Sequence, residues 1–509
     1  MYCVVASMGL VGIEPYTVSV EVDISRALPG FDIVGLPDAA VKESRDRVRS
    51  ALGNMGYRMP QMKILANLAP ADTKKQGSVY DLPLLLGVIH AGGMENLTKL
   101  SGTAVIGEIG LSGELRPITG VLPMVMGASS LGFLRVIVPY QNAGEAGVVR
   151  NIEILCAENA KQVVDYLAGR EYLPLAPHPS SADISRPPLP DLADVKGQSE
   201  AKRAMEIAAA GGHNMLLIGP PGTGKSMLAL RLRSILPELT YTESVETTKI
   251  YSVSGLLSPG QSLLRERPYR APHHTVSRVA LTGGGSLLRP GDVSLAHNGV
   301  LFLDELAEFE KDTLEVLRQP LESGEISISR VSGRATYPSK FMLVAAMNPC
   351  SCGYFGHPTR ACSCPPGKVA RYLGRISGPL LDRIDIHVEV LPVTYSQISD
   401  REKGESSSDV RERVMAARER QTQRYSGTSV TGNSVIPPSM IKEACVMEST
   451  AERLLASAFE RMGLSARGHD RILKVARTIA DLDNSDIIGS PHISQAIQMR
   501  GLDRKYLSG

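Results

Sequence analysis

The segment GPPGTGKS, at residues 219–226, limits the possible folds of this 509-residue chain more than any other. It matches the pattern G-x-x-x-x-G-K-[ST], in which glycines let successive backbone N–H groups curl around phosphate oxygens. It lies directly after the apolar segment 215–218 and directly before the helix-like sequence MLALRLRSIL. Strand, loop and helix in this order predict a nucleotide site. The residues predicted to bind the nucleotide are Gly219, Pro220, Pro221, Gly222, Thr223, Gly224, Lys225 and Ser226.

The chemistry of ATP hydrolysis requires further groups, and the sequence offers them at the ends of later strands. Lys225 is expected to reach the outer phosphates, and the Ser226 hydroxyl to ligate Mg²⁺. The apolar segment VLFLDE ends in Asp304, expected in the Mg²⁺ shell, and Glu305, expected to orient and deprotonate the attacking water. Asn348 ends the next apolar segment, where its amide would help to hold that water and sense the γ-phosphate.

These apolar segments also predict the fold of the central part of the chain. Residues 215–219, 300–305 and 341–348 are apolar up to their last one or two positions, as is typical of strands buried on both faces. Such strands alternating with helical segments favour an α/β fold with a parallel sheet flanked by helices. We place this ATPase core at residues 192–392.

The chain on either side of the core differs in composition. Residues 1–170 read as a mixed α/β domain, residues 171–191 as a proline-rich interdomain linker, and residues 393–509 as helical. The predicted N-terminal elements are a strand over 18–24, a helix over 38–52, and strands over 63–69, 103–109 and 135–139. The predicted C-terminal helices are 408–424, 439–462, 466–482 and one with Ser490 as its N-cap and Pro491 as its first residue.

Charge and cysteine usage restrict the setting in which the chain works. Its 55 Lys and Arg against 53 Asp and Glu give a net charge of +2, so a nucleic-acid site has to be a local patch. No segment approaches the ~18 uncharged apolar residues of a membrane span. Four of the seven cysteines lie between 350 and 364, which disfavours a secreted disulfide scaffold. The cytoplasm is the expected location.

Those four cysteines form two close pairs and predict a metal site. Cys350, Cys352, Cys362 and Cys364 offer four thiolates, the ligand set of a tetrahedral structural zinc site. Each pair is spaced C-x-C, tighter than the usual C-x₂₋₄-C, and His357 is an alternative ligand in place of one sulfur. Free buried thiols, a redox pair and an iron–sulfur cluster remain alternatives.

A local basic patch lies between the phosphate loop and Asp304. Its DNA-contact candidates are Arg265, Arg267, Arg270 and Arg278, with Arg289 further along and Tyr269 available to stack on a base. Salt bridges between subunits are the alternative role for these arginines. A metal site at the adjacent pair His273-His274 is disfavoured, because neighbouring loop histidines seldom bind metal together.

Two arginines beyond the core motifs are candidates for stabilising the transition state of phosphate transfer. Arg383, in GPLLDRID, is suited to stabilise the transferring phosphate, including across a subunit boundary. Arg467, in SARGHDRIL, has the same potential from the helical part.

Several longer segments of the sequence resemble those of a known family. The run RPYRAPHHTVSRVALTGGGSLLRPGDVSLAHNGVLFLDEL, with LRQPLESGEISISR, MNPC and SGPLLDRID after it, resembles the ComM/YifB family of magnesium-chelatase-like AAA+ ATPases, over essentially the whole chain. The resemblance implies ATP and Mg²⁺ as ligands, a homo-oligomeric ring that is usually a hexamer, and DNA branch migration in recombination, including natural transformation. It implies Walker A at Gly219, Gly222, Gly224, Lys225 and Ser226, Walker B at Asp304 and Glu305, sensor 1 at Asn348, the arginine finger at Arg383 and sensor 2 at Arg467.

The same resemblance implies a Lon-protease-like domain (a ribosomal-S5-type α/β fold) at 1–170 and a helical lid at 393–509. Lon-type enzymes use a Ser–Lys pair. Alignment puts Val79 at the serine position and Met124 at the lysine position, so an inactive domain is expected, although Ser78 lies one residue away. The alternative to a DNA motor is a protein-remodelling AAA+ ATPase, either a chelatase-like activator or a Lon-like proteolytic machine.

Overall fold

The computed structural model describes residues 1–178, 189–258, 260–285, 288–330, 333–399 and 404–500. The N-terminal part contains the strands β1 (Tyr2–Val11), β2 (Glu14–Ser25), β3 (Gly30–Val34), β4 (Lys63–Ala69), β5 (Thr103–Val105), β6 (Glu108–Ile109), β7 (Leu115–Arg116), β8 (Arg135–Pro139) and β9 (Glu153–Ala157). Its helices are α1 (Ala39–Asn54), α2 (Asp81–Ala91), α3 (Val121–Ser130), α4 (Ala143–Ala146) and α5 (Ala160–Leu167).

Seven of these strands form one sheet, in the order β3-β4-β2-β1-β5-β8-β9. The predicted alternation in β2 is confirmed, because Val18, Val20 and Val22 are all fully buried. The predicted first helix is also confirmed as α1, where the Asp38 carboxylate caps the N-terminus by accepting from the Val41 N–H at 2.9 Å. The single strand expected over 103–109 is wrong, since β5 and β6 are separate strands that pair with different neighbours.

The predicted linker starts too early. Leu173 and Ala176 are buried, and the Ala176 N–H donates to the Ile154 carbonyl at 2.9 Å. Cys156 in turn donates its N–H to the Pro174 carbonyl at 2.9 Å. Residues 173–176 therefore lie along β9 and belong to the N-terminal part. Residues 179–188 of the predicted linker lie outside the described residues.

The central part is built on the strands β10 (Met215–Ile218), β11 (Tyr269–Arg270), β12 (Gly283–Gly284), β13 (Arg289–Pro290), β14 (Val300–Leu303), β15 (Glu325–Arg330), β16 (Gly333–Pro338), β17 (Met342–Met347) and β18 (Ile386–Glu389). Its helices are α6 (Ser199–Gly211), α7 (Lys225–Ile235), α8 (Tyr241–Ser254), α9 (Arg278–Thr282), α10 (Asp292–Leu295), α11 (Lys311–Glu315), α12 (Arg318–Ser323), α13 (Lys368–Leu373) and α14 (Gly378–Leu381). A five-stranded parallel sheet in the order β11-β14-β17-β10-β18 confirms the predicted α/β core.

Two antiparallel hairpins extend this core. β12 pairs with β13, and β15 pairs with β16. The strand order matters for chemistry, because the carboxyl ends of parallel strands share one edge of the sheet. The phosphate loop after β10, Asp304 after β14 and Asn348 after β17 are therefore brought to the same edge.

The C-terminal part is helical, with α15 (Tyr395–Ser399), α16 (Ser407–Arg424), α17 (Pro438–Ala444), α18 (Ser449–Met462), α19 (Ala466–Leu482) and α20 (Ser490–Gln498). The helix expected over 439–462 is wrong, because α17 ends at Ala444 and α18 starts at Ser449. The expected cap is also displaced by one residue, since Gly489 is the N-cap of α20 and Ser490 its first residue. Over the described residues, helices of the length and apolarity needed to cross a bilayer do not occur.

The three parts pack on one another. Leu217 and Val344 on one face of the parallel sheet share a buried cluster with Val414 of α16 and Ile472 of α19. The N-terminal part contacts α8, where Ser252 donates its hydroxyl to Glu145 at 2.6 Å and accepts the Gly120 N–H on its carbonyl at 3.1 Å. Leu122, Val148 and Leu263 form a buried cluster across the same contact.

Candidate nucleotide site and its surroundings

The phosphate loop has the backbone that its glycines predict. A Cβ on Gly219 would lie 2.2 Å from the Val390 carbonyl oxygen, so no larger residue fits there. Gly224 has φ +86 and is the N-cap of α7, where it offers no side chain to the first-turn N–H groups. These N–H groups at a helix N-terminus remain available for phosphate oxygens.

Lys225 lies buried inside this loop. Its ammonium donates to the carbonyls of Gly219 at 2.8 Å and Pro220 at 2.9 Å, and to the Asn348 amide oxygen at 3.1 Å. Burial lowers the pKa of Lys225, while Asp304 and Glu305 act in the opposite direction. The lysine and the amide expected to sense the γ-phosphate are thus in direct contact.

The residues expected to hold Mg²⁺ meet at the same edge. The Ser226 hydroxyl donates to the Asp304 carboxylate at 2.5 Å, although 78 positions separate the two residues in the chain. A hydroxyl and a carboxylate side by side supply the oxygen ligands that Mg²⁺ prefers, and this ion keeps several waters as well. Glu305 follows with φ 52, in the left-handed region. Its backbone N–H donates to the Asp304 carboxylate at 2.9 Å.

Arg383 does not lie in the nucleotide site of its own chain. It precedes β18, whose Ile386 pairs with Met215 at the start of β10, whereas the phosphate loop follows the end of β10. Asn214, just before β10, donates its side-chain amide to the Arg383 carbonyl at 2.9 Å. The paired strands alone span about 10 Å, so Arg383 and the loop lie at opposite edges of the sheet.

The Arg383 guanidinium instead faces a cleft of about 1020 Å³ on this opposite edge. It donates to the Glu322 carboxylate at 2.7 Å and to the Pro379 carbonyl at 2.7 Å. The hydrogen bond from Arg383 lowers the pKa of Glu322, and the charge of Arg467 acts in the same direction.

Arg467 lies on the same side as Arg383. It is exposed near the N-terminus of α19, and one turn later Arg471 lies 3.5 Å from Asp385 and 3.8 Å from Asp382. These two aspartates flank Arg383 in the chain. The structure therefore brings Arg467 together with Arg383, at the edge of the sheet opposite the phosphate loop.

The four cysteines come together. Their Sγ atoms all lie within 4.8 Å of one another, with 3.3 Å from Cys350 to Cys352, 3.7 Å from Cys350 to Cys362 and 3.5 Å from Cys352 to Cys362. The edge of a ZnS₄ tetrahedron is about 3.8 Å for Zn–S bonds near 2.3 Å. His357 is engaged elsewhere, because its Nδ1 accepts the N–H groups of Thr359 and Arg360. The geometry favours four sulfurs over a set that includes His357.

This cluster adjoins the phosphate loop. Cys350 follows Asn348 by two positions, and a Cβ on Gly353 would lie 2.6 Å from the Pro221 ring. Burial acts to raise the pKa of the Cys352 thiol, but hydrogen bonds from the N–H groups of Tyr354 and Ser363 outweigh this effect and lower the pKa to about 5. Backbone N–H groups that favour a thiolate are consistent with a metal-binding loop.

The basic segment is less uniform than its sequence suggests. Arg267 lies 3.1 Å from Glu243 and donates to the Pro237 carbonyl at 2.7 Å. Arg270 lies 2.6 Å from Asp292, and Arg265 lines a cleft behind α7. Arg267 and Arg270 therefore have acidic partners within the chain, which is neither of the two roles considered for them. Arg278 is exposed at the first position of α9.

Sequence reasoning missed an arginine that the fold brings beside Arg278. A Cβ on Gly284 would lie 3.1 Å from Val279 of α9 and 3.5 Å from the guanidinium of Arg330, and Gly284 pairs with Arg289. Arg334 on β16 is paired with Ser329 and therefore lies on the other face of its hairpin. The arginine surface, defined as Arg278, Arg289 and Arg330, is exposed. Charge counting along the chain could not find it, because its members come from two separate hairpins and a helix.

The positions aligned with a Lon-type pair are apolar and adjacent. Met124 is buried in a cluster against which Val79 packs. The Ser78 hydroxyl contacts the Glu108 carboxylate, and the Lys75 ammonium donates to the carbonyls of Pro70 and Thr73. The Ser78 hydroxyl is therefore hydrogen-bonded to an acid, and the nearest lysine in the sequence is bonded to backbone.

A parallel sheet with a phosphate loop, an acidic pair and an amide at one edge, joined to a helical C-terminal part, defines a P-loop ATPase of the AAA+ class. The family model described as "Magnesium chelatase, subunit ChlI" matches residues 191–398. Two more match the flanking parts, "Subunit ChlI of Mg-chelatase" over residues 20–142 and "Magnesium chelatase, subunit ChlI C-terminal" over residues 404–500. The chain belongs to the ComM/YifB family of magnesium-chelatase-like AAA+ ATPases.

Individual relatives agree with this assignment. The chain is 45% identical over 503 residues to "Uncharacterized protein YifB" of Escherichia coli K12, covering 98% of this chain and 97% of the relative. It is 42% identical over 507 residues to "Competence protein ComM" of Haemophilus influenzae, covering 98% of each chain. A "Magnesium-chelatase 38 kDa subunit" of Rhodobacter capsulatus is 24% identical over 357 residues, covering 63% of this chain and 89% of the relative.

Proposed function

We propose that the protein is an ATP-driven homo-oligomeric ring motor, hexameric as in related AAA+ proteins, that acts on branched or single-stranded DNA. Branch migration of recombination intermediates in the cytoplasm is the expected activity. The placement of Arg383 is the observation that supports a ring. Because the nucleotide site lacks this arginine within its own chain, the opposite edge of a neighbouring subunit would supply it.

The division of labour at such an interface follows from the contacts already described. Lys225 and the N–H groups of the loop would bind the phosphates, Ser226 and Asp304 would hold Mg²⁺, and Glu305 would take the proton of the attacking water. Mg²⁺, when bound, neutralises charge that develops on the transferring phosphate. Asn348, held by Lys225 at 3.1 Å, would exchange that contact for the γ-phosphate. Arg383, and Arg467 beside it, would approach from the neighbour.

DNA as the partner is supported by the arginine surface. Its three arginines are exposed, and among the described residues none of them forms an ion pair with an acid. Phosphate backbones are the partners that such surfaces bind without reading sequence. The relative from Haemophilus influenzae is named a competence protein, which fits DNA as the partner.

We expect Arg289→Ala/Arg330→Ala to weaken DNA binding and to reduce its salt dependence. Removing two phosphate contacts should lower the slope of log K against log[salt] by about 1.8 on duplex DNA and about 1.4 on single strands. Titrating labelled DNA at several salt concentrations measures this slope. Arg453→Ala/Arg461→Ala, on exposed positions of α18, removes the same charge and should leave the slope unchanged. Equal slopes for all three proteins would exclude the arginine surface as the DNA contact.

The activity itself is tested by ATPase rates with single-stranded, duplex and four-way-junction DNA, and by resolution of the junction. A DNA motor should hydrolyse ATP faster with DNA and resolve the junction only when ATP is hydrolysed. If no DNA form changes the rate and junctions stay intact, the protein-remodelling alternative replaces this proposal. The proteolytic version of that alternative is disfavoured by Val79 and Met124, and we propose an inactive Lon-like fold for the N-terminal part.

We also propose a structural zinc ion on Cys350, Cys352, Cys362 and Cys364. The near-tetrahedral spacing of three sulfurs supports it. The ion would fix the segment that runs from Asn348 to the cysteine loop, residues 350–364, which packs against Pro221. Asn348 would then keep its position relative to the phosphate loop.

About one zinc per chain is therefore expected in protein purified without chelator, measured by elemental analysis. Cys362→Ser should lose the metal and some thermal stability, because three sulfurs leave the tetrahedral shell open. His357→Ala is the matched control and should retain the zinc. Protein free of zinc would remove the site, and visible absorption with stoichiometric iron would assign an iron–sulfur cluster instead.

A further inference from the structure

The segment between β17 and β18 carries positive charge and no acid. Residues 349–381 contain neither aspartate nor glutamate, although the whole chain has 53 acidic residues against 55 basic ones. The basic side chains of this segment are Arg360, Lys368, Arg371 and Arg375. A local excess of positive charge in a chain that is otherwise balanced fits an anionic partner.

One of these four cations is paired within the chain, and the other three are not. Arg375 lies 2.9 Å from the Glu308 carboxylate and donates to the Ala307 carbonyl at 3.1 Å. The other three are exposed, and over the part of the chain that the structure describes none of them forms an ion pair with an acid. The cysteine-loop surface is defined as these three residues, Arg360, Lys368 and Arg371.

The fold holds this surface in place. Arg360 lies between the two cysteine pairs, whose Sγ atoms all lie within 4.8 Å of one another. Its guanidinium carbon lies 3.9 Å from the centroid of the Tyr354 ring, and it donates to the Tyr354 hydroxyl at 2.7 Å. Lys368 and Arg371 are three positions apart on α13 and share one face of it, while Tyr372 is buried in a cluster with residues of the parallel sheet. Cations that are already positioned lose less side-chain entropy when they bind a phosphate.

The cysteine-loop surface belongs to the edge of the sheet that carries the phosphate loop, because a Cβ on Gly353 would lie 2.6 Å from the Pro221 ring. In the proposed ring, this edge meets the edge of a neighbouring subunit that carries Arg383. Arg278 and Arg330 of the arginine surface line the same cleft as Arg383. Two basic surfaces would therefore approach each other, and they repel unless an anion lies between them.

The acids of that cleft disfavour a neighbouring subunit as the direct partner of the cysteine-loop surface. Glu322 lies 2.7 Å from Arg383, and Glu315 lies 2.9 Å from Arg318. Both carboxylates therefore have a cation within their own chain. A nucleic acid, in contrast, supplies a continuous row of phosphates that reaches both basic surfaces.

We propose that the cysteine-loop surface is a second nucleic-acid contact, which binds the phosphate backbone of DNA without reading its sequence. DNA held by the arginine surface of one subunit is also held by the cysteine-loop surface of the next. The DNA then lies across the subunit boundary at which ATP is hydrolysed. This inference rests on the proposed DNA motor and adds to it a site outside α9 and the two hairpins that carry the arginine surface.

The test titrates a labelled single strand and a labelled duplex at several salt concentrations, with wild type and with Arg360→Ala/Lys368→Ala/Arg371→Ala. Loss of three phosphate contacts should lower the slope of log K against log[salt] by about 2.7 on the duplex and about 2.1 on the single strand. Arg360→Lys/Arg371→Lys retains the charges and should retain the slope. Arg453→Ala/Arg461→Ala, at exposed positions of α18, is the control for loss of charge elsewhere and should retain it too.

A second measurement uses wild type alone. Bound DNA should slow backbone hydrogen exchange over residues 354–371, which are mostly exposed, and should leave exchange over α18 unchanged. An unchanged slope in the alanine variant, or unchanged exchange over 354–371, would overturn the inference. If the alanine variant does not fold, the exchange result decides alone.

A second copy of the chain as the partner gives a different result. The alanine variant would then form smaller oligomers than wild type in analytical ultracentrifugation without DNA, and that outcome would also overturn the inference. Failure of the proposed motor is read separately. If wild type binds neither DNA, the motor and the cysteine-loop surface both fail. If Arg289→Ala/Arg330→Ala lowers the slope and the cysteine-loop variant does not, only the cysteine-loop surface fails.

Discussion

Glu305→Gln should bind ATP normally and lose turnover, with kcat lowered by about a hundred- to ten-thousandfold, the usual contribution of a general base. The amide keeps the size and polarity of the side chain but cannot accept the proton of the attacking water. The substitution leaves the phosphate loop unchanged, because it is Asp304, one residue before Glu305, that contacts Ser226 of the loop at 2.5 Å. ATP should therefore accumulate on the protein unhydrolysed.

Lys225→Ala is the contrasting variant for this experiment. Removal of an ammonium that touches the loop carbonyls at 2.8 and 2.9 Å should weaken ATP binding itself. Nucleotide affinity measured by fluorescent ATP analogues, together with single-turnover hydrolysis, separates the two defects. Full turnover by Glu305→Gln, or unchanged affinity in Lys225→Ala, would show that these residues do not have the assigned roles.

Arg383→Ala should lower hydrolysis about a thousandfold or more, the range measured for arginines that act on a transferring phosphate. ATP binding should be retained, because Arg383 lies at the far edge of its own sheet and donates to Glu322 at 2.7 Å instead of to the loop. In the proposed ring, a side chain in this position would reach a γ-phosphate only in the neighbouring subunit. The measurement pairs ATPase rate with nucleotide affinity for the same preparation.

Mixing two inactive variants tests the action across the interface. Rings that combine Arg383→Ala with Lys225→Ala contain interfaces at which an intact loop meets an intact arginine, about one in four at equal random mixing. Partial ATPase activity should return at those interfaces. If subunit exchange is demonstrated and no activity returns, Arg383 does not act in trans. The same mixing applied to Arg467→Ala would show whether this second arginine acts from the same side.

Much of the site was predictable because its parts are encoded locally. The glycines of the phosphate loop define a backbone path that needs no distant partner, and apolar strands ending in Asp304 and Asn348 define one edge of a parallel sheet. The cysteine pairs are close in the chain, so their convergence needs only one short loop. The predicted α/β core and most helices were confirmed for the same reason, since hydrophobic period and caps are properties of short segments.

Element ends and linkers were predicted less well. The break between α17 and α18, and the packing of residues 173–176 along β9, depend on contacts with chain that lies elsewhere in the fold. Proline content indicated that 171–191 cannot be a regular helix. It could not indicate that Leu173 and Ala176 are buried against the N-terminal sheet.

The amino-acid sequence by itself was enough to assign the chain to the chelatase-like AAA+ family and to name the residues that we propose to bind and cleave the nucleotide. Only the tertiary structure decided which arginines of the basic patch have an acidic partner within the chain and which do not. Arg267 and Arg270 have the same charge as Arg278, but Glu243 and Asp292 lie 3.1 and 2.6 Å from them. The fold likewise set Arg383 at the edge of the sheet opposite its own phosphate loop, and His274 Nδ1 3.2 Å from the Glu305 carboxylate. The physical reason is that a local motif specifies its own backbone, whereas the partner of a long charged side chain is specified by residues brought near it only by folding.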